Sequence, residues 1–138
     1  MQVEVNESIL CHRPLIVTVL DEVANKLKSN QQFKVVNLSE IRLLVSLDEN
    51  RNKACCKPHS TDKRLFKILL SKNSMPHLKE ILAHELCHVF QMVSGSLVID
   101  GENIIWKGSL YRPAEIKHNK RPWEQEAMLL SYNCLVNT

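Results

Sequence analysis

Two histidines four positions apart, with a glutamate beside the first, are the residues of this chain best suited to chemistry. They stand in His84-Glu85-Leu86-Cys87-His88, an HExxH sequence. On a helix, residues four apart lie one above the other, so both imidazoles would project from the same face. Two neutral imidazole nitrogens at that separation can bind one zinc ion. The spacing therefore predicts a site for one Zn²⁺ ion, with Glu85 as the general base that takes a proton from water attacking a carbonyl.

Histidines on a solvated helix face are the alternative explanation of this pair. A shuffled chain of this composition would contain an HExxH sequence in roughly 2% of cases. The surrounding residues favour the metal site, because they form an amphipathic helix with an apolar stripe that faces away from the histidines. The stripe consists of Leu78, Ile81, Leu82, Leu86, Val89 and Val93.

A hydrolytic zinc site needs a third protein ligand and one open position. Metzincins place a Gly and a His three and six residues after the second histidine, but Gln91 and Ser94 stand there and exclude that class. A carboxylate from a later helix is the remaining possibility, and Glu124 and Glu126 both lie at the start of one. Ala127 is small enough to let that helix pack closely on the zinc helix. The residues alone leave the choice between the two glutamates open.

The HELCH sequence followed by an E-x-E-A helix resembles the gluzincin group of zinc metallopeptidases. Within that group the chain looks like the minimal ImmA/IrrE-like and phage-encoded metallopeptidases. The stretch 106–111 (W-x-G-x-x-Y) followed by 122–127 (PWEQEA) looks especially like the phage-encoded form. The resemblance implies that Glu124 is the third ligand, with Glu126 as the alternative. Met128 departs from the pattern, since Asp or Asn often follows the Ala.

The resemblance also implies a function, which is zinc-dependent hydrolysis of peptide bonds in a peptide or protein substrate. Oxyanion stabilisation needs a donor opposite the metal. Tyr111 and His118 are the candidates, and the W-x-G-x-x-Y stretch favours Tyr111. In zincins an extended substrate commonly pairs with a strand at the sheet edge. One of the strands predicted at 40–48 and 65–71 is expected to have this role.

Two other functions stay open at this point. One is a zinc-stabilised regulatory or binding protein of zincin fold without turnover, against which the intact Glu85 argues. The other is a DNA-associated protease similar to SprT-like proteins. The net charge of +3, from 18 basic and 15 acidic residues, does not require a nucleic-acid partner.

The elements that must position these residues follow from periodicity and from breaker residues. Their order is helix, strand, strand, helix, hairpin, loop, helix. This order predicts an α+β fold of minimal zincin type, with a small β-sheet packed with the HExxH helix, an N-terminal helix and a C-terminal helix. The expected helices are 14–29, 76–94 and 122–136, and the expected strands are 40–48 and 65–71. A hairpin with an Asp-Gly turn is expected at 97–106, and loops are expected at 49–64 and 107–121.

Chain length and cysteine usage restrict the number of domains and the cellular compartment that we expect. With 138 residues, one domain over 1–138 is expected. No secretory signal is visible, and the longest apolar run, Leu15–Leu20, is far below the ~20 residues needed to span a bilayer. Five cysteines without CxxC spacing predict free thiols in a reducing compartment, the cytoplasm of a bacterium or of a phage-infected host. Cys55, Cys56 and His59 lack a fourth partner, so no second metal site is expected.

Overall fold

Four strands form the larger β-sheet of the computed structural model, which describes residues 1–136. Its strand order is β1-β2-β4-β3; β1, β2 and β4 are parallel, and β3 is antiparallel to β4. Alternate residues of β2 and β4 point to one face, where Val45 and Ile68 are fully buried neighbours. The strands are β1 (Gln2–Val5), β2 (Arg42–Asp48), β3 (Cys55–Pro58) and β4 (Leu65–Ser71).

Three helices share one buried core with this sheet, namely α1 (Arg13–Lys28), α2 (Leu78–Val93) and α3 (Pro122–Val136). α2 carries the HExxH sequence and lies between α1 and α3, contacting both. It ends where the sequence predicts, because Gly95 takes the positive φ of +84° that suits the residue after a helix. The central position of α2 makes it a rigid support for the side chains it presents.

A second, antiparallel sheet of three strands follows α2 in the chain. It consists of β5 (Leu97–Asp100), β6 (Asn103–Trp106) and β7 (Ser109–Tyr111) in the order β5-β6-β7. Leu97, Trp106 and Trp123 form a small buried cluster that attaches this sheet to the start of α3. The two tryptophans are therefore buried packing residues.

The α+β class and the three predicted helices are confirmed, whereas three short strands contradict the sequence interpretation. β3 lies within the predicted loop 49–64, β7 lies within the predicted loop 107–121, and β1 lies before the first predicted element. Each has only three or four residues and forms through backbone pairing with a partner strand, which local periodicity does not report.

The expectation that 40–48 or 65–71 forms a sheet edge is also wrong. Both β2 and β4 are interior strands, because β1 and β3 pair with their outer sides. The antiparallel strand β3 is the edge nearer to the HExxH helix, which it contacts. Within the part of the chain that the structure describes, none of the helices is long and apolar enough to cross a bilayer.

Candidate metal centre

Three donor atoms from two helices meet at one point of the structure. His84 and His88 lie one turn apart on α2, and Glu124 faces them from the first turn of α3. The Oε1 atom of Glu124 lies 2.9 Å from the Nε2 atom of each histidine. The two Nε2 atoms are 3.2 Å apart. Among residues 1–136, this is the one cluster of His, Cys, Asp or Glu side chains placed to hold a metal ion.

The donor set and its spacing fit a divalent cation. Two imidazole nitrogens and one carboxylate oxygen are a known ligand set of catalytic zinc sites, which leave a fourth position open. Ligands at ~2.0–2.1 Å from a tetrahedral zinc ion lie roughly 3.3 Å from one another. The separations of 2.9 and 3.2 Å found here are within a few tenths of an ångström of that value.

Burial and mutual charge shift the pKa values of two of these groups. Burial acts to raise the pKa of Glu124, but its hydrogen bonds with His84 and His88 outweigh burial and hold the pKa far below the usual range. Burial acts to lower the pKa of His88, yet the hydrogen bond with Glu124 and its charge raise that pKa overall. Glu124 therefore remains ionised at neutral pH, and a buried carboxylate beside two imidazoles attracts a cation.

Glu85 lies beside the cluster as an unpaired carboxylate. The residue is only 7% exposed, and within residues 1–136 its carboxylate has no hydrogen bond or ion pair. Burial raises its pKa, while the nearby His88 and His84 act in the opposite direction. Both of its carboxylate oxygens nevertheless reach solvent, because no side-chain oxygen of a buried residue among residues 1–136 is both fully enclosed and without a hydrogen bond. Glu85 is therefore free to contact water in the cleft that it lines.

Glu126, the alternative ligand, lies outside the cluster. Its Oε1 atom accepts a hydrogen bond from Gln91 Nε2 at 3.2 Å, and its Oε2 atom forms an ion pair with Lys107 Nζ at 3.0 Å. Gln91 in turn contacts the ring of His88. The geometry therefore favours Glu124 over Glu126 as the third donor and adds Gln91, which sequence reasoning considered only as a departure from the metzincin pattern.

A cleft with two lobes crosses the candidate metal centre. The first lobe, a cavity of about 260 Å³, is bounded by the start of β3 and by the β5–β6 hairpin. The second lobe, of about 340 Å³, extends from the same centre toward the end of β4, where Ser71 and Asn73 line it. His84 and Glu85 line both lobes. The apolar side chains of the first lobe are Met92, Leu97, Ile99, Ile104 and Trp123.

The two candidates for an oxyanion donor have different positions. Tyr111 packs edge-on against Trp123, with ring centroids 5.7 Å apart, and it lines neither lobe of the cleft. His118 lines both lobes, and its Nε2 atom lies 3.5 Å from Glu124 Oε1. Arg121 supports the segment that carries His118 by donating to the carbonyls of Pro113 and Ile116. His118 therefore lines the cleft, whereas Tyr111, the donor that the resemblance favours, does not.

The cysteines divide between the core and the cleft. All five are free thiols. Cys87 is fully buried in the core, as expected, and burial raises the pKa of its thiol. Cys55 and Cys56 line the first lobe. His59 accepts hydrogen bonds from the backbone of its own turn, and the described residues contain no second metal-binding cluster.

Comparison of this chain with protein-family models, with curated proteins and with solved structures gives no match. The functional assignment therefore depends on the geometry of the site itself.

Proposed function

We propose that this protein is a zinc-dependent peptidase in which His84, His88 and Glu124 bind the metal and Glu85 is the general base. The observation that carries the proposal is the unpaired carboxylate of Glu85, whose oxygens reach the open cleft beside three converging donor atoms. A site with a purely structural role for the metal has no need of such a carboxylate. A bound zinc ion would polarise the substrate carbonyl and lower the pKa of water to near neutrality.

Glu85 is placed to accept a proton from water in the cleft and to pass it on to the leaving amine. The raised pKa of Glu85 supports this use, because proton transfer is most efficient when the pKa of the base approaches the working pH. The position of Glu85 on the central helix keeps it in place through the reaction.

His118 is proposed as the donor that stabilises negative charge on the carbonyl oxygen. Its imidazole lines the cleft on the solvent side, with a side chain 57% exposed. Arg121 restrains the preceding turns through the two carbonyls it contacts. A donor held in advance of the reaction needs little reorganisation, which is what makes such groups effective.

The shape of the cleft favours an extended peptide as substrate. The edge strand β3 has one side free of strand partners, and Cys55 and Cys56 lie at the first lobe. An extended chain can add to such an edge through backbone hydrogen bonds. A substrate side chain would then enter the first lobe, whose apolar lining suits a large apolar residue.

Ile99 provides a test of this specificity with a matched control on the same strand. Ile99 is 49% exposed and lines the first lobe, whereas Val98 is 44% exposed and points to the opposite face of β5. Ile99→Asp is expected to lower kcat/KM for substrates with a large apolar residue by roughly 10-fold or more. Val98→Asp, an equal change in charge, should leave it unchanged. Cleavage-site profiling of a peptide mixture by mass spectrometry measures both, and an equal loss in the two variants would contradict the assignment of the lobe.

Metal dependence tests the proposed function directly. Removal of zinc with a chelator should abolish hydrolysis of an unstructured protein substrate, and addition of one zinc ion per chain should restore it. Hydrolysis that survives complete metal removal would contradict the proposal. Tight zinc binding without cleavage of any peptide would instead support the zinc-stabilised binding protein.

The five free thiols support a reducing compartment for this activity. We therefore propose the cytoplasm as its location. Cys55 at the cleft would be exposed to oxidation elsewhere.

A further inference from the structure

Gln91 connects the candidate metal centre to the rest of the protein. It lies on α2 one turn after His88 and is fully buried. Its Oε1 atom is 2.8 Å from the Nδ1 atom of His88. At the other end of the amide, Nε2 donates to the backbone carbonyl of Trp123 at 3.0 Å and to Glu126 Oε1 at 3.2 Å. Both the oxygen and the nitrogen of the Gln91 amide therefore have hydrogen-bond partners.

The partners of Gln91 permit only one orientation of its amide. A backbone carbonyl and an ionised carboxylate accept hydrogen bonds but do not donate them, so both must face the NH₂ group. The Oε1 atom then faces His88, and Nδ1 of His88 must carry the proton that Oε1 accepts. Nδ1 keeps its proton toward Gln91, so a bound metal ion would take the place of the proton that Nε2 shares with Glu124 and would meet the Nε2 lone pair there.

A lysine in a strained turn holds the outer end of this network. Lys107 and Gly108 form the two-residue turn between β6 and β7, with φ values of +48° and +87°. Such turns favour Asn or Gly at the first position, and a lysine there is conformationally costly. Lys107 nevertheless occupies it, with Nζ 3.0 Å from Glu126 Oε2 and 5.0 Å from the centre of the Trp106 ring. Among residues 1–136, Lys107 is the one residue other than glycine with positive φ.

We propose that Gln91 is a positioning residue for the metal, which presents the Nε2 lone pair of His88 to the ion, and that Glu126 and Lys107 hold Gln91 in this orientation. The inference rests on the proposed function, since it takes His88 as a ligand. The network joins the turn of the second sheet to α2 through α3. Residues that orient a ligand in this way typically contribute 10–100-fold to metal affinity.

Gln91→Met tests the role of the amide with little change in volume. We expect its affinity for zinc, measured by competition with a chromophoric chelator, to be roughly 10–100-fold lower than that of the wild type. The d–d absorption of the cobalt-loaded protein should also change, because His88 is no longer held in one orientation. Equal zinc affinity within about twofold, together with an unchanged cobalt spectrum, would overturn the proposal.

Lys107→Asn separates positioning from stability even if Gln91→Met does not fold. Asn is better suited to this turn, so the thermal stability of the metal-free protein should be unchanged or higher. Loss of the partly exposed ion pair should lower zinc affinity by roughly two- to fivefold. Lys63→Asn, the same substitution at an exposed loop position, is the control and should change neither quantity. A Lys107→Asn protein that keeps full zinc affinity would remove Lys107 from the network.

A wild-type protein that binds no zinc contradicts the proposed function, whereas zinc binding equal in the wild type and Gln91→Met contradicts only the role of Gln91.

Discussion

Glu85→Gln is expected to eliminate peptide hydrolysis while leaving the bound zinc in place. The amide has nearly the same volume as the carboxylate but cannot accept a proton from water. General bases of this kind typically contribute 10²–10⁴-fold to the rate. Because Glu85 has no hydrogen bond or ion pair within residues 1–136, its replacement disrupts no internal contact of that kind. The thermal stability should therefore be close to that of the wild type, since the oxygens of Glu85 already contact solvent.

The wild type and Glu85→Gln are compared in two measurements on the same preparation of each protein. One is the initial rate of peptide cleavage, and the other is the zinc content by mass spectrometry. Glu22→Gln, which makes the same change at an exposed position of α1, is the control and should behave like the wild type. A Glu85→Gln protein that hydrolyses peptides at the wild-type rate would rule out Glu85 as the general base. Zinc-loaded wild-type and variant proteins that are equally inactive would support the non-catalytic alternative.

Glu124→Gln is expected to lose zinc, whereas Glu126→Gln is expected to keep it. The neutral amide is a poor ligand and also removes the charge that lies 2.9 Å from both imidazoles. We expect the affinity of the Glu124 variant to fall by more than the 10–100-fold typical of residues that only orient ligands. Glu126 contacts Gln91 and Lys107 instead, so its variant should stay within roughly tenfold of the wild type.

The two variants make the same chemical change two residues apart on one helix, so each is the control for the other. His84→Ala shows the zinc content of a protein that has lost one ligand. Zinc content after dialysis, together with competition against a chelator, ranks the zinc affinities of the three variants. Retention of zinc in Glu124→Gln with loss in Glu126→Gln would reverse the ligand assignment.

The HExxH helix illustrates what local pattern can predict. The apolar stripe of α2 and Gly95 at its end are properties of neighbouring residues, and the structure confirms the helix and its termination. The same holds for β4 and α3, whose predicted bounds at 65–71 and 122–136 agree with the structure. Such elements are predictable because their periodicity is present in every turn or residue pair.

The short strands cannot be predicted from the local pattern of apolar residues. β3 contains Lys57 and Pro58 and has no apolar alternation, and it is a strand because its backbone pairs with β4. The prediction of a loop at 49–64 therefore missed the edge strand β3, which lies beside the cleft. Topology alone determines which strand is at an edge.

The choice between Glu124 and Glu126 depends on the rotation of α3 about its own axis. Residues two apart are separated by roughly 200° around a helix, so at most one of the two can face the histidines directly. Buried Trp123 and Ala127 set that rotation by packing against the second sheet and the core. The sequence contains both glutamates, and only the packing distinguishes them.

By itself, the sequence determined the α+β class, the helix that places two histidines and a glutamate together, and the set of carboxylates that could complete the site. The tertiary structure decided which carboxylate reaches them, that His118 rather than Tyr111 lies in the cleft, and that Gln91 contacts His88. The physical reason is that a spacing of four residues is fixed by the helix itself. Contacts between residues 30 to 40 positions apart depend on how helices rotate and pack.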